Sequence, residues 1–378
     1  MRLVPFSIPL AAPLSTARGE ISERRGFLVA IEAVEDTTDE ESTVHGTDGE
    51  PADHGIGEAT PLPGWTEPYG RCREALESFV AARENATSSV ETPETPAARH
   101  GVALARLDRD ARRADVSLAD LLSNRYGTGA AASETVPVNA TVGDGSPAES
   151  AERCREAVEA GFGCLKIKVG KRALAADLDR LRAIRDAVGE EVTLRADANG
   201  AWDRKTADRA LDELAALGVD YVEQPLPADD LEGHARLRGR GVDVVLDESL
   251  ATGGNGNTRA IDRVRTAIEV GAADVVVLKP MALGGPDRVL EAASTANEAG
   301  VQPVITTTID AVVARTAAVH VAAAIPEIPP CGLATGGMLA DDLAPDPAPV
   351  DGGRIRVPHG PGIAAGAFDD LCEDTNGG

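Results

Sequence analysis

Lysine is scarce in this sequence. Of 37 basic residues only five are lysines (Lys166, Lys168, Lys171, Lys205 and Lys279) and the rest are arginines. Aromatic residues make up 3% of the chain, so a core has to be built from Ala, Val, Leu and Ile; a hydrophobic content of 43% is enough for one and excludes a disordered chain. Cys72, Cys154, Cys164, Cys331 and Cys372 are odd in number, scattered and never in C-x-x-C spacing. That argues against a disulfide framework and a zinc site, and for a reducing cytoplasm. No run approaches the ~18–20 apolar residues of a membrane span. The N-terminus, Met1-Arg2-Leu3-Val4-Pro5, lacks the apolar stretch of a signal peptide. Positive charge is short too: 37 basic against 62 acidic residues leave a net charge of −25, which repels nucleic acid and anionic membranes. No strand–G-x-G-x-x-G–helix fingerprint is present, so a dinucleotide fold is unsupported.

The 378 residues suit one large barrel or two domains. The acidic, lysine-poor, alanine-rich composition is that expected in a salt-loving cytoplasm, where ionic strength screens self-repulsion; a high-GC genome is the plainer source of the same bias. Gly26–Ile31 and Gly55–Ala59 read as strands, separated by an acidic stretch (35–54) expected to be a solvated hairpin loop. Helical patterns follow over 68–84 and 99–125, with a second polar loop at 85–98. From Val136 onward, short β-branched runs alternate with Ala/Leu/Arg/Asp helices. The strand candidates are 136–140, 164–169, 193–197, 221–223, 244–247, 275–279 and 301–306. Alternating β and α elements call for a parallel sheet, and seven or eight such units favour a closed (β/α)₈ barrel.

A strand buried on both faces should be almost wholly apolar. Here strand after strand ends in an ionisable side chain. Lys166 and Lys168 stand at i and i+2, on one face of one strand. The next strand ends in Asp197 followed by Asn199, the next in Glu223, the next in Asp247 and Glu248, and the next in Lys279. One βα unit per step puts Asp197, Glu223 and Asp247 on three consecutive strands at the C-terminal rim, where barrel active sites lie. Three convergent carboxylates do not all stay charged and unpaired, and a hard divalent cation such as Mg2+ resolves the conflict; Mn2+ suits the same oxygen site. Lys168 is the candidate base for removing a proton next to a substrate carboxylate, with Lys166 supplying the like charge that lowers its pKa. Lys279, across the triad, is a candidate for stabilising negative charge or for a second acid–base role. Any one of these residues alone is more commonly a paired strand lysine or a helix cap. Six of them in phase on consecutive strands are not.

In these residues the chain resembles the enolase superfamily, and within it the muconate-lactonising subgroup, whose pattern K-x-K, D-x-N, E, D-E, K stands here as Lys166-Ile167-Lys168, Asp197-Ala198-Asn199, Glu223, Asp247-Glu248 and Lys279. The resemblance spans nearly the whole chain. It implies a modified (β/α) TIM barrel over 131–335, an N-terminal α+β capping domain over 1–130, and a C-terminal segment, 336–378, that returns to the cap. It also implies Mg2+-assisted α-proton abstraction from a small-molecule carboxylate. Gly57-Glu58-Ala59-Thr60-Pro61-Leu62-Pro63-Gly64-Trp65 and Asp247-Glu248-Ser249-Leu250 are most similar to the o-succinylbenzoate synthases, the menaquinone-pathway dehydratases of the subgroup. By that resemblance Pro63, Gly64 and Trp65 belong to a mobile loop over the substrate. Thr306, Thr307 and Thr308 stand where the family often has S-S-S-x-E and would suit a substrate carboxylate. Thr for Ser, Asp310 for Glu and Ala334 for a common Asp are departures that bear on substrate contact.

Three relatives share the constellation as alternatives: N-succinylamino acid racemase, dipeptide epimerase and muconate cycloisomerase. Residues 331–343 hold no D-x-D of the kind that points to a dipeptide epimerase. A Schiff-base aldolase barrel and a non-catalytic scaffold are the readings from other classes. His320, mid-helix, reads as structural.

Overall fold

The computed structural model of the chain describes residues 1–16, 19–31, 54–84, 91–126, 131–251 and 260–372. The expected acidic loop at 35–54 lies, except for His54, outside the described residues.

The chain begins as a long hairpin. β1 (Arg2–Thr16) pairs antiparallel with β2 (Gly19–Ile31), and β3 (Gly55–Ala59) pairs antiparallel with β2. The hairpin is far longer than the single strand at Gly26–Ile31 read from sequence. Helices α1 (Tyr69–Glu84) and α2 (Pro96–Arg113) pack on this sheet, and α3 (Leu118–Tyr126) follows, packed against α2 and the later helices Pro286–Glu298 and Val312–Ala323. Helix α2 lies directly on β3. A Cβ on Gly57 would come 2.0 Å from the Gly101 carbonyl, so only glycine lets strand and helix meet there. Two expectations need correction. The helix expected over 99–125 is two helices, broken at Asp115, whose φ of +53° ends the first. The polar loop expected to reach 98 ends earlier, because Pro96 at the first helical position starts α2.

The strand expected at 136–140 also divides. β4 (Thr135–Pro137) joins a small antiparallel sheet with β12 (Val350–Asp351) and β13 (Arg354–Arg356), and β5 (Ala140–Val142) begins the barrel. The units that follow are α4 (Pro147–Glu159), β6 (Cys164–Lys168), α5 (Leu174–Val188), β7 (Thr193–Asp197), α6 (Arg204–Ala216), β8 (Val219–Glu223), α7 (Leu231–Leu237), β9 (Asp243–Leu246), α8 (Ala260–Val270), β10 (Val275–Leu278), α9 (Pro280–Leu283), α10 (Pro286–Glu298), β11 (Gln302–Ile305) and α11 (Val312–Ala323). Helix starts are written locally. Ser146 and Glu149 form a reciprocal capping box with Pro147 just inside, and Asp203 caps α6.

β5 to β11 form one parallel curled sheet in sequence order. The seam between β5 and β11 is spanned by residues 331–332, a segment the sequence reading did not single out as a strand. Asn139 N–H donates to the Cys331 carbonyl (3.0 Å) and Gly332 N–H to the Ile305 carbonyl (2.9 Å). Alternate side chains point outward into a layer shared with the helices (Leu165, Ile167, Leu194, Val222, Val244) and inward into a core of Tyr221, Val245, Val275, Val277 and Val304. The inward phase carries Lys166, Lys168, Asp197 and Glu223 to the upper rim. His320 is buried as expected, with Nδ1 accepting from Ala119 N–H (3.1 Å). No described helix is long and apolar enough to cross a membrane.

Candidate active site

Lys168, Asp197 and Glu223 are the last residues of β6, β7 and β8, in direct register across the sheet. Asp247 and Lys279 stand one residue past β9 and β10. At the rim each carboxylate meets an ammonium. Lys168 Nζ lies 2.6 Å from Asp197 Oδ2, Lys166 Nζ 3.1 Å from Glu223 Oε1 and Lys279 Nζ 2.8 Å from Asp247 Oδ2. Asn199, with φ of +44°, accepts from Lys168 Nζ (2.9 Å) and donates to Glu248 Oε1 (2.9 Å). The structure therefore gathers into one network Lys166, Lys168, Asp197, Asn199, Glu223, Asp247, Glu248 and Lys279.

Burial and crowding set the charges. Burial works against ionised Asp197, yet Lys166 and Lys168 outweigh it and hold the carboxyl below its usual range. Glu223 is pushed up by burial and by Asp197, against the pull of Lys166. Asp247 is pushed up by burial and Glu248, against Lys279. Burial also opposes charge on Lys166, but Glu223 and Asp197 keep its ammonium well above the ordinary lysine value. Lys166 thus remains a fixed positive charge beside Lys168.

Among the described residues no three Asp, Glu, His or Cys side chains stand together as a finished metal cage; the lysine ammoniums take up the carboxylate oxygens instead. The donor set nonetheless fits a hard divalent cation. All three side chains offer oxygen, Asp247 Oδ1 and Glu248 Oε2 are buried without a hydrogen-bond partner, and burial raises two of the three carboxyls.

The substrate-facing expectations divide. Trp65 joins the cluster: Lys279 Nζ sits 3.2 Å from the centre of its ring. Pro63 and Gly64 form the turn that carries it, Gly64 with φ of +111°, and make no polar contact with the cluster in the structure. Thr306 donates its hydroxyl to the Gly332 carbonyl (2.7 Å), closing the barrel seam, and Thr308 donates to Asp310 Oδ1 (2.5 Å). Thr307 shares a hydrogen bond with Thr335 (3.0 Å). The hydroxyls of Thr306 and Thr308 are therefore already committed to protein acceptors.

Sequence reasoning passed over Gln224. Its φ is +42°; Oε1 accepts from the backbone N–H of Asp247 (3.0 Å) and of Ser249 (3.1 Å), and Nε2 donates to Ser249 Oγ (2.7 Å). It aims the Asp247–Glu248 turn. An uncharged amide one place after Glu223 gives little sign of this without the backbone geometry.

Residues 149–367, more than half of the chain, match the family described as Enolase C-terminal domain-like. The chain belongs to the enolase superfamily. It is an enzyme of that superfamily, and its curated relatives carry several activities. It is 40% identical over 225 residues to an o-succinylbenzoate synthase of Thermobifida fusca, an alignment covering 58% of this chain and 66% of the relative, just under two thirds. It is 31% identical over 269 residues to a chloromuconate cycloisomerase of Cupriavidus necator, covering 70% of this chain and 69% of the relative. Among solved superfamily structures, a dipeptide epimerase from Enterococcus faecalis V583, complexed with Mg and the dipeptide L-Leu-L-Tyr, superposes with a TM-score of 0.77 at 26% identity, covering 96% of this chain and 98% of that one.

Proposed function

We propose that this enzyme dehydrates 2-succinyl-6-hydroxy-2,4-cyclohexadiene-1-carboxylate to o-succinylbenzoate, a step of menaquinone biosynthesis, with Lys168 as the base. The observation that carries this reading is the inequality of the two lysines across the rim. The Lys168 side chain is 34% exposed, whereas that of Lys279 is 10% exposed, enclosed between Asp247 and the face of Trp65. Both lysines are paired with a carboxylate, but Lys168 is open to a substrate and Lys279 is enclosed. That inequality suits one-base chemistry.

Asp197, Glu223 and Asp247 would hold Mg2+, whose positive charge would stabilise a substrate carboxylate as it gains electron density. As a free amine, Lys168 accepts the C1 proton of the ring. The Lys279 ammonium stabilises the negative charge that develops, and Lys166 contributes a second fixed positive charge. Lys168 then returns the proton to the departing C6 hydroxyl, which leaves as water while the third ring double bond forms. The lysine ends as it began. The 40% identity to the T. fusca synthase supports this substrate over the alternatives.

The test is turnover in molar KCl with Mg2+, followed by loss of diene absorbance, with EDTA and Lys168→Ala as controls. Rapid loss, abolished by both controls, is expected. No turnover, with α-proton exchange in D₂O on N-succinyl amino acids or dipeptides, would move the assignment to the racemase or epimerase reading. Silence in both assays would sink it.

A further inference from the structure

Arg24, on β2, is 3% exposed, and its hydrogen bonds go to no carboxylate. Its fork donates to three backbone carbonyls: Nη2 to Thr60 (2.9 Å), Nη1 to Pro61 (3.1 Å) and Nε to Ile309 (3.0 Å). Burial lowers its pKa, and nearby Asp310 and Glu58 favour its charge. A buried guanidinium carries a large desolvation penalty, so its place here calls for a use that an apolar side chain cannot serve.

Its three acceptors belong to two segments at the C-terminal end of the barrel strands, the lead into the Trp65 turn and the loop after β11. Thr60 and Pro61 lead into the turn that carries Trp65, where the N–H groups of Trp65 and Thr66 both reach the Leu62 carbonyl. The other end of that turn is held by Glu67, whose carboxylate caps α2 through Ala97 N–H (3.0 Å) and Ala98 N–H (2.9 Å). The Trp65 turn thus hangs between a buried arginine and a buried glutamate. Ile309 belongs to the loop after β11. It is a β-branched residue at φ of +60°, a conformation that persists only where its surroundings hold it. Its side chain packs among Ile8, Leu10 and Leu339, and its carbonyl is held by Arg24.

We propose that Arg24 is a positioning residue that ties the Trp65 turn of the cap to the Thr306–Asp310 loop of the barrel, so that one guanidinium sets both walls of the substrate site together. The kinetic part rests on the proposed function above; the structural part does not. The Glu58 carboxylate meets the same two regions, accepting from the Thr60 hydroxyl and from Ala311 N–H, but only Arg24 reaches the Ile309 carbonyl through a rigid fork, which lysine, with a single nitrogen on a flexible stem, does not reproduce.

The test uses the full chain with Trp202→Phe, which leaves Trp65 as the sole tryptophan. Arg24→Met and Arg24→Lys are made in that background. Acrylamide quenching of Trp65 is measured without substrate, alongside circular dichroism and steady-state kinetics. Both variants are expected to fold, to raise the Trp65 quenching constant about twofold or more, and to raise KM at least about tenfold with a smaller change in kcat. A purely structural arginine would lower Tm and leave Trp65 quenching in the folded protein unchanged, and that result would overturn the proposal. If Arg24→Met does not fold, Arg24→Lys decides. If neither folds, Arg24 is a folding residue and the proposal falls. If the parent shows no turnover, the functional reading fails while the quenching arm still judges Arg24.

Discussion

The ammonium of Lys279 lies 3.2 Å from the centre of the Trp65 ring and 2.8 Å from Asp247 Oδ2. A residue of the capping domain thereby completes the surroundings of a barrel lysine. Cation–π contacts that are sheltered from water contribute about 0.5–2 kcal/mol. Trp65→Leu, which keeps bulk and removes the ring face, is expected to lower kcat/KM by about 3- to 30-fold. Trp65→Phe should lose less. A Leu variant with wild-type kinetics would show that the ring plays no part.

Lys168→Ala should lower kcat by about a thousandfold or more, since general acid–base groups typically contribute about 10²–10⁴-fold. The side chain is 34% exposed, so the fold should survive and Tm should change little. Retained turnover would remove Lys168 from the mechanism.

Divalent metal should stabilise the folded protein. Burial and neighbouring carboxylates disfavour ionised Glu223 and Asp247, and a dication offsets that cost. Mg2+ at a hundred times its Kd would stabilise by about 2.7 kcal/mol, seen as a rise in Tm that EDTA reverses. Asp247→Asn should blunt the rise. An Mg2+-independent Tm in the wild type would count against the metal site.

Glu58 gives the stability a pH dependence. Its carboxylate caps α11 through Ala311 N–H (2.9 Å) and Ala314 N–H (2.8 Å), while burial, with help from Asp310, pushes its pKa up to about 7. Between the ordinary carboxyl value of 4.5 and about 7, the native state holds the proton that the unfolded state has lost. Stability is therefore fully present at the acid end and falls as pH rises through that window, by up to about 3 kcal/mol. Glu58→Gln should flatten this segment of a urea-denaturation pH profile. An unchanged slope would contradict it.

Asp108 ties three elements at once. Oδ2 accepts from Ile56 N–H (3.0 Å) and Arg112 Nε (3.0 Å), and Oδ1 accepts from Ile363 N–H (2.7 Å). Asp108→Ala removes the acceptor of the buried Arg112 Nε and of two backbone donors, and should cost about 3–5 kcal/mol in chemical denaturation even though Arg112 keeps Asp369 and the Ala365 carbonyl. A loss below 1 kcal/mol would mean the site relaxes.

The charged rim was legible because barrel strands are apolar on both faces, so Lys168, Asp197, Glu223, Asp247 and Lys279 stood out at one βα step apart. Period-2 alternation along a strand puts Lys166 and Lys168 on one face from the sequence alone. The Asp115 break and the split at Val138 and Asn139 were hidden, because each depends on where the flanking segments dock rather than on local propensity. Arg24 was hidden for the same reason. It looks like one more arginine in an arginine-rich chain until its acceptors, at residues 60, 61 and 309, converge on it.

What the sequence determined by itself is the order of strands and helices and the ring of ionisable strand ends, because both follow from local periodicity and the fixed geometry of a βα unit. What only the tertiary structure decided is how the cap meets that ring. Trp65 reaches Lys279, Arg24 reaches Ile309 and Glu58 reaches the start of α11 across more than two hundred residues, through contacts that no local pattern encodes.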